Sequence, residues 1–201
     1  MTRGEARFNR ENAYNLITEM LQNKNLQKHG LAVEAIMRAL CSYLKEKHPE
    51  LPIAEFNSEE WGIVGLLHDG DYELVEKNPE KHTLVMEEKL RPLGVSERII
   101  NGIKAHHNVA KPNRENLMEK AVYCADELAG LITACALVQP EKKISSVTLE
   151  SVLKKFKQAN FAAGANREQI RACETELEIP LEKFIEISLL AMQNISNELG
   201  L

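Results

Sequence analysis

Apolar residues recur at three- and four-residue steps along nearly the whole chain, which is the signature of amphipathic helices. Tyr14, Ile17, Met20 and Leu21 mark a first helix that Asn9 or Asn12 would cap. Leu31, Val33, Ile36, Leu40 and Leu44 mark a second over about 29–47, ended by His48-Pro49. Ser58, followed by Glu60 and Trp61, starts a third that runs through Val64 and Leu67 into His68-Asp69. Asn78-Pro79 restarts a helix in NPEKHTLVMEEKL, and Pro92 and Gly94 break it. Ser96 caps SERIINGIKAHH, and VAKPNREN forms the following loop. The longest apolar helix spans about 115–138 and ends before Pro140. Three more follow at about 146–157, 166–177 and 180–199, with Asn166 as a cap. The cluster ISSVT is rich in β-branched residues but too short and isolated to argue for a sheet. The pattern predicts an all-α protein.

Length adds that residues 1–201 form one domain, with its weakest point for a boundary at 139–146. A chain of this size buries a substantial core without metal or disulfide staples. Cys41, Cys124, Cys135 and Cys173 form no CxxC pair and sit in apolar helical stretches, so they read as buried free thiols. The opening MTRGEARFNRENAYN has no apolar signal core, and no run approaches the roughly 18 apolar residues of a membrane span. A cytoplasmic setting without membrane association is the expectation. The net charge of −5 argues against general nucleic-acid binding, which needs a basic excess or stripe.

The polar positions within this pattern carry the chemistry. LLHDGDYE, residues 66–73, drives an apolar run straight into a histidine and three acids. Five histidines, His29, His68, His82, His106 and His107, sit on or beside apolar helical runs. Neutral imidazole is a common ligand for divalent transition metals. In the helical reading His29, His68, His82 and His106 lie on four different helices, so they act together only if the bundle gathers them. Adjacent helical residues such as His68 and Asp69 lie about 100° apart. Both can face one cavity only if it sits between them or holds two metals, and a carboxylate, unlike imidazole, can bridge two ions. Asp126 interrupts VYCADELAGLI, where an unpaired carboxylate would be costly to bury. By contrast His48 suits a helix C-terminus, and Lys104 lies nearly opposite His106 on its helix. KKFKQ with Arg167 reads as a solvated helix face. IEISLLAMQNI reads as core or as the face of a homodimer, and Met192 needs no cofactor.

A histidine on an early helix (His29), a His-Asp doublet (His68-Asp69) and a distant helical aspartate (Asp126) resemble the HD-domain superfamily of metal-dependent phosphohydrolases. His82 and His106, with His107 beside it, fall between doublet and final aspartate, as in the two-metal subset. The resemblance covers about 28–138; the segment from KKFKQANFAAGANRE onward resembles a bacterial branch of predicted HD hydrolases. It implies a compact helical bundle with additional C-terminal helices at about 146–201. It also implies one or two divalent ions (manganese, iron, cobalt, nickel, zinc or magnesium). His29, His68, Asp69 and Asp126 would hold the first ion. Asp69 would bridge to a second on His82 and His106, with His107 a further ligand or turned away. The implied function is hydrolysis of a phosphate monoester or diester of a nucleotide or similar small metabolite by metal-activated water. Two-iron oxygenases and a metal-binding regulatory module without turnover are the alternatives. The doublet continues as HDGD where relatives of the HDIG or HDID type have an apolar residue, which leaves Gly70 unaccounted for. Some relatives carry an acid three residues past the doublet's aspartate. Tyr72 stands there, so Glu73 is the candidate for acid–base work, against a solvated helix-end acid, and Asp69 is catalytic as the ligand that would hold both ions. The missing lysine at Tyr72 weakens a cyclic-dinucleotide assignment.

Overall fold

The computed structural model describes residues 8–76 and 78–201, so the first seven residues of the polar opening stretch lie outside the described residues. Helix α1, Arg10–Met20, starts where Asn9 and Asn12 cap each other. Each side-chain oxygen accepts the other's backbone N–H, at 3.0 and 3.1 Å. Helix α2, Lys24–Lys47, begins about a turn before its apolar pattern does. Asn23 caps it by accepting the Asn25 N–H at 2.9 Å, and the polar first turn hides the start. Helix α3 covers Ser58–Leu67, and its cap is Asn57, with Ser58 already helical. The Asn57 side-chain oxygen accepts the N–H groups of Glu59 and Glu60.

Helix α3 is buried along its whole length from Trp61 to Leu67, and α1, α2, α5 and α6 pack around it. It lies against α2 with backbones touching. A methyl group on Gly65 would stand 2.7 Å from the Val33 carbonyl oxygen, and one on Gly30 would stand 2.7 Å from that of Leu66. That close approach brings the His29 end of α2 level with the end of α3.

Helix α4 is shorter than the periodicity predicts, Leu84–Leu90, because residues 78–83 form turns instead. Thr83 stands at φ 74, in the left-handed region that a helix cannot continue through. Helix α5, Glu97–Ala105, is capped by Ser96, and α6, Leu117–Leu137, by Asn116. The C-terminal part contains α7, Leu149–Phe156, behind a Thr148–Ser151 capping box. Two expected helices are each broken by a tightened turn. The 166–177 segment splits into α8, Arg167–Arg171, and α9, Cys173–Glu176, at Ala172. The 180–199 segment splits into α10, Leu181–Asn194, and α11, Ser196–Leu199, at Ile195.

Among the described residues there is no strand, and ISSVT forms a single 3₁₀ turn at Ile144–Ser146. Helix α10 packs on α2, α6 and α7, and one continuous core runs from Ile17 through Leu66 and Ile132 to Phe184 and Met192. All four cysteines are buried and unpaired. Burial pushes the thiols of Cys41 and Cys135 up to about 11, which keeps them protonated and inert. Arg167 is not part of a solvated face. Its guanidinium donates to the carbonyls of Phe156, Phe161, Ala162 and Ala165, and so ties down the loop before α8. No described helix is long and apolar enough to cross a membrane.

Candidate metal centre

Two histidines terminate two helices in the same way. His68 is the C-cap of α3, and its Nδ1–H donates to the Gly65 carbonyl at 2.7 Å. His106 is the C-cap of α5, and its Nδ1–H donates to the Ile103 carbonyl at 2.6 Å. Each bond satisfies a terminal carbonyl of the helix and fixes the tautomer, leaving the Nε2 lone pair free. Contrary to expectation, His82 is not helical; it sits in the turns before α4. Its Nδ1 is held at 2.7 Å by Asp71, whose other oxygen accepts the Met86 N–H at 3.1 Å. Asp71 is fully buried. His29 comes from the start of α2 and Asp126 from the middle of α6.

These side chains converge on Asp69. Its Oδ2 faces His68 Nε2 at 3.6 Å and His29 Nε2 at 3.9 Å. Its Oδ1 faces His82 Nε2 at 3.1 Å and His106 Nε2 at 3.5 Å. Asp126 closes the first side, 2.9 Å from His29 Nε2 and 3.4 Å from His68 Nε2. Two donor groups result, His29–His68–Asp69–Asp126 and Asp69–His82–His106, each with its ligand atoms within 4.8 Å of one another. Asp69 belongs to both.

The donor set fits cations. His82 and His106 both commit Nδ1–H elsewhere, yet their Nε2 atoms stand 2.9 Å apart. Two lone pairs cannot face each other at that distance unless a proton or a metal ion lies between them. His29 Nε2 stands 3.2 Å from His68 Nε2 and 2.9 Å from Asp126 Oδ1. Electrostatics agree. Burial alone would depress the imidazolium of His68, but Asp69 and Asp126 outweigh it and raise its pKa to about 9. Burial likewise opposes the charge on His82, and Asp69 and Asp71 raise it to about 9. Burial works against the charged forms of Asp69 and Asp126, yet the surrounding histidines hold both carboxyls below the usual range.

The centre forms the floor of a cavity of about 560 Å³. Tyr72, Pro79, His107 and Glu127 face it from the sides, and Ala162, Gly164, Ala165 and Gln169 from the C-terminal part. His107 stands with its ring 5.4 Å from that of His82, outside both donor groups. Its Nδ1 is buried with no hydrogen-bond partner among the described residues. Burial, together with His106 and His82, pushes its pKa down, so it stays neutral. Burial pushes the Glu127 carboxyl up, although the Asn166 N–H at 2.9 Å partly offsets this.

Other candidates go elsewhere. Glu73 does not line the cavity. It points to the α1–α2 junction, where Oε2 accepts the N–H groups of Gln22 and Asn23 at 2.7 and 3.0 Å. Lys104 pairs with Glu87 and His48 with Glu50. Gly70 is explained by space, since a Cβ there would collide with the Met86 methyl. Asp71, which holds His82 from behind the centre, is the residue whose place sequence reasoning left undecided. Its only sequence signal is an acid close after the doublet, which is indistinguishable from a solvated one.

A family model described as HD domain matches residues 26–131, which contain every histidine and aspartate of the two donor groups. No curated protein and no solved structure matches the chain at a significant level.

Proposed function

The chain belongs to the HD-domain family of metal-dependent phosphohydrolases, and on that premise we propose that it hydrolyses a phosphate ester of a small metabolite, with two divalent ions in its centre. The observation that carries this reading is the position of Asp69, which offers one oxygen to each of two histidine pairs. His29, His68 and Asp126 would hold the first ion, and His82 and His106 the second. When bound, divalent ions supply Lewis-acid binding of phosphoryl oxygens and a water of lowered pKa. The protein's own contribution is positional. The i−3 carbonyls fix His68 and His106 in the ligating tautomer, and Asp71 does the same for His82. Neutral His107 and the phenol of Tyr72 face the cavity beside the centre, placed to donate to a substrate's phosphate oxygens. Gly130 and the small residues Ala162, Gly164 and Ala165 leave room above it.

The test is a panel of phosphate mono- and diesters with protein loaded with manganese, iron, cobalt or nickel, with released phosphate or alcohol as readout. Hydrolysis that disappears on chelation and returns with metal is the expected result. A fully loaded protein inactive on the whole panel, or turnover that consumes oxygen, would remove this reading.

A further inference from the structure

A glycine inside a long helix costs stability relative to alanine, and close packing usually explains it. Gly30, Gly65 and Gly102 follow that rule: a Cβ on any of them would lie 2.7 Å from a neighbouring element. Gly130, in the middle of α6, breaks it. A Cβ there would meet nothing within 4 Å. Nothing in the fold therefore requires Gly130.

Two cavities border Gly130. One is the metal cavity; the other, of about 400 Å³, lies on the far side of His29, and both have His29 and Gly130 in their walls. The second is lined by Asn25, Lys28, Thr133, Leu137, Leu199 and Leu201. Asp126, Gly130, Thr133 and Leu137 follow one another at four-, three- and four-residue steps, which places them on one face of α6. At about 1.5 Å per residue, this stripe runs about 16 Å from the ligand Asp126 to Leu137. Its start is charged, its middle has no side chain, and its far end is walled by leucines with Lys28 and Asn25 at the edge.

We propose that the two cavities form one substrate groove across Gly130, and that the substrate is a phosphate ester of an extended organic alcohol with an apolar body. This inference rests on the phosphohydrolase reading. The phosphate would lie on the metal centre, the organic part would cross α6 where Gly130 leaves the passage open, and the leucines would cover its far portion. A small ester would use only the first cavity.

The test measures binding, by calorimetry, of methylphosphonate and octylphosphonate to the manganese-loaded protein. Burying even part of the added chain should make octylphosphonate bind at least about tenfold more tightly. Gly130→Leu fills the passage and should bring that ratio close to one. Thr133→Glu, at a half-exposed helical position, should do the same from beyond the passage. Gly130→Ala should raise the melting temperature, as expected for a glycine that no contact requires. If neither phosphonate binds, the phosphohydrolase reading fails and this one falls with it. If methylphosphonate binds but the wild-type ratio is near one, or both variants keep the wild-type ratio, the groove alone is overturned.

Discussion

Asp71 Oδ1 lies 2.7 Å from His82 Nδ1, and both groups are buried in a stretch of turns rather than on a helix. The carboxylate fixes the imidazole from behind, so Nε2 points at Asp69 and His106. Carboxylates in this position sharpen metal affinity by orienting the ligand and raising its basicity. Asp71→Asn should therefore weaken binding of one of the two metal equivalents by about 10–100-fold while the protein stays folded. Calorimetric metal titration reads this; two unchanged binding events would refute the role.

The two donor groups share Asp69 alone. His82→Ala or His106→Ala should each remove one metal equivalent, as should His29→Ala, whereas Asp69→Ala should weaken both. Metal content after gel filtration distinguishes this from a mononuclear centre, in which one pair of histidines would be indifferent.

pH should act on the centre in a defined direction. The His68 and His82 pKa values are raised from 6.5 to about 9. In the metal-free protein, the stability they contribute is fully present below pH 6.5 and is lost as pH rises through 9. Asp69 and Asp126 lie below the ordinary 3.8, so their contribution is present above it and is lost on acidification. Metal-free protein should thus melt highest between about pH 4 and 6.5. Metal affinity should run the other way, rising from pH 6.5 to 9 as the protons that compete with metal leave. Thermal melts with and without manganese across this range give both curves.

Gly70→Ala should be destabilising because its methyl would need the space of the Met86 side-chain tip. Overpacking of this kind costs about 1–3 kcal/mol. Met86→Ala in the same chain should recover part of the loss in urea unfolding, whereas independent effects would simply add.

Glu73→Ala tests the acid–base role directly. The carboxylate accepts two backbone N–H groups at the α1–α2 junction, so its loss should cost about 1 kcal/mol of stability, as for other capping interactions. The rate per folded, metal-loaded molecule should stay the same. A hundredfold fall in kcat would restore Glu73 to the chemistry.

How much of this was legible beforehand depended on whether the signal was local. Caps such as Asn9, Ser96 and Asn166 were readable because an N-cap needs only its own next three residues. The start of α2 at Lys24 was not, because its first turn is polar and periodicity reports only faces that will be buried. The helix expected through His82 does not form, because the Asp71 bonds to His82 and Met86 lie eleven and fifteen residues apart in sequence.

The sequence by itself determined the all-α class, since helical period is a property of the chain, and the order of His29, His68, Asp69, His82, His106 and Asp126 carried the family resemblance that implied one centre. Only the tertiary structure decided which oxygen of Asp69 serves which histidine pair. It also decided that Asp71 is buried beside His82 while Glu73 turns away to the α1–α2 junction, and that Gly130 stands in the walls of two cavities. Two acids two residues apart look alike in a sequence. Their roles separate only when the packing of α2 against α3, and of 78–86 over the doublet, settles which one is buried.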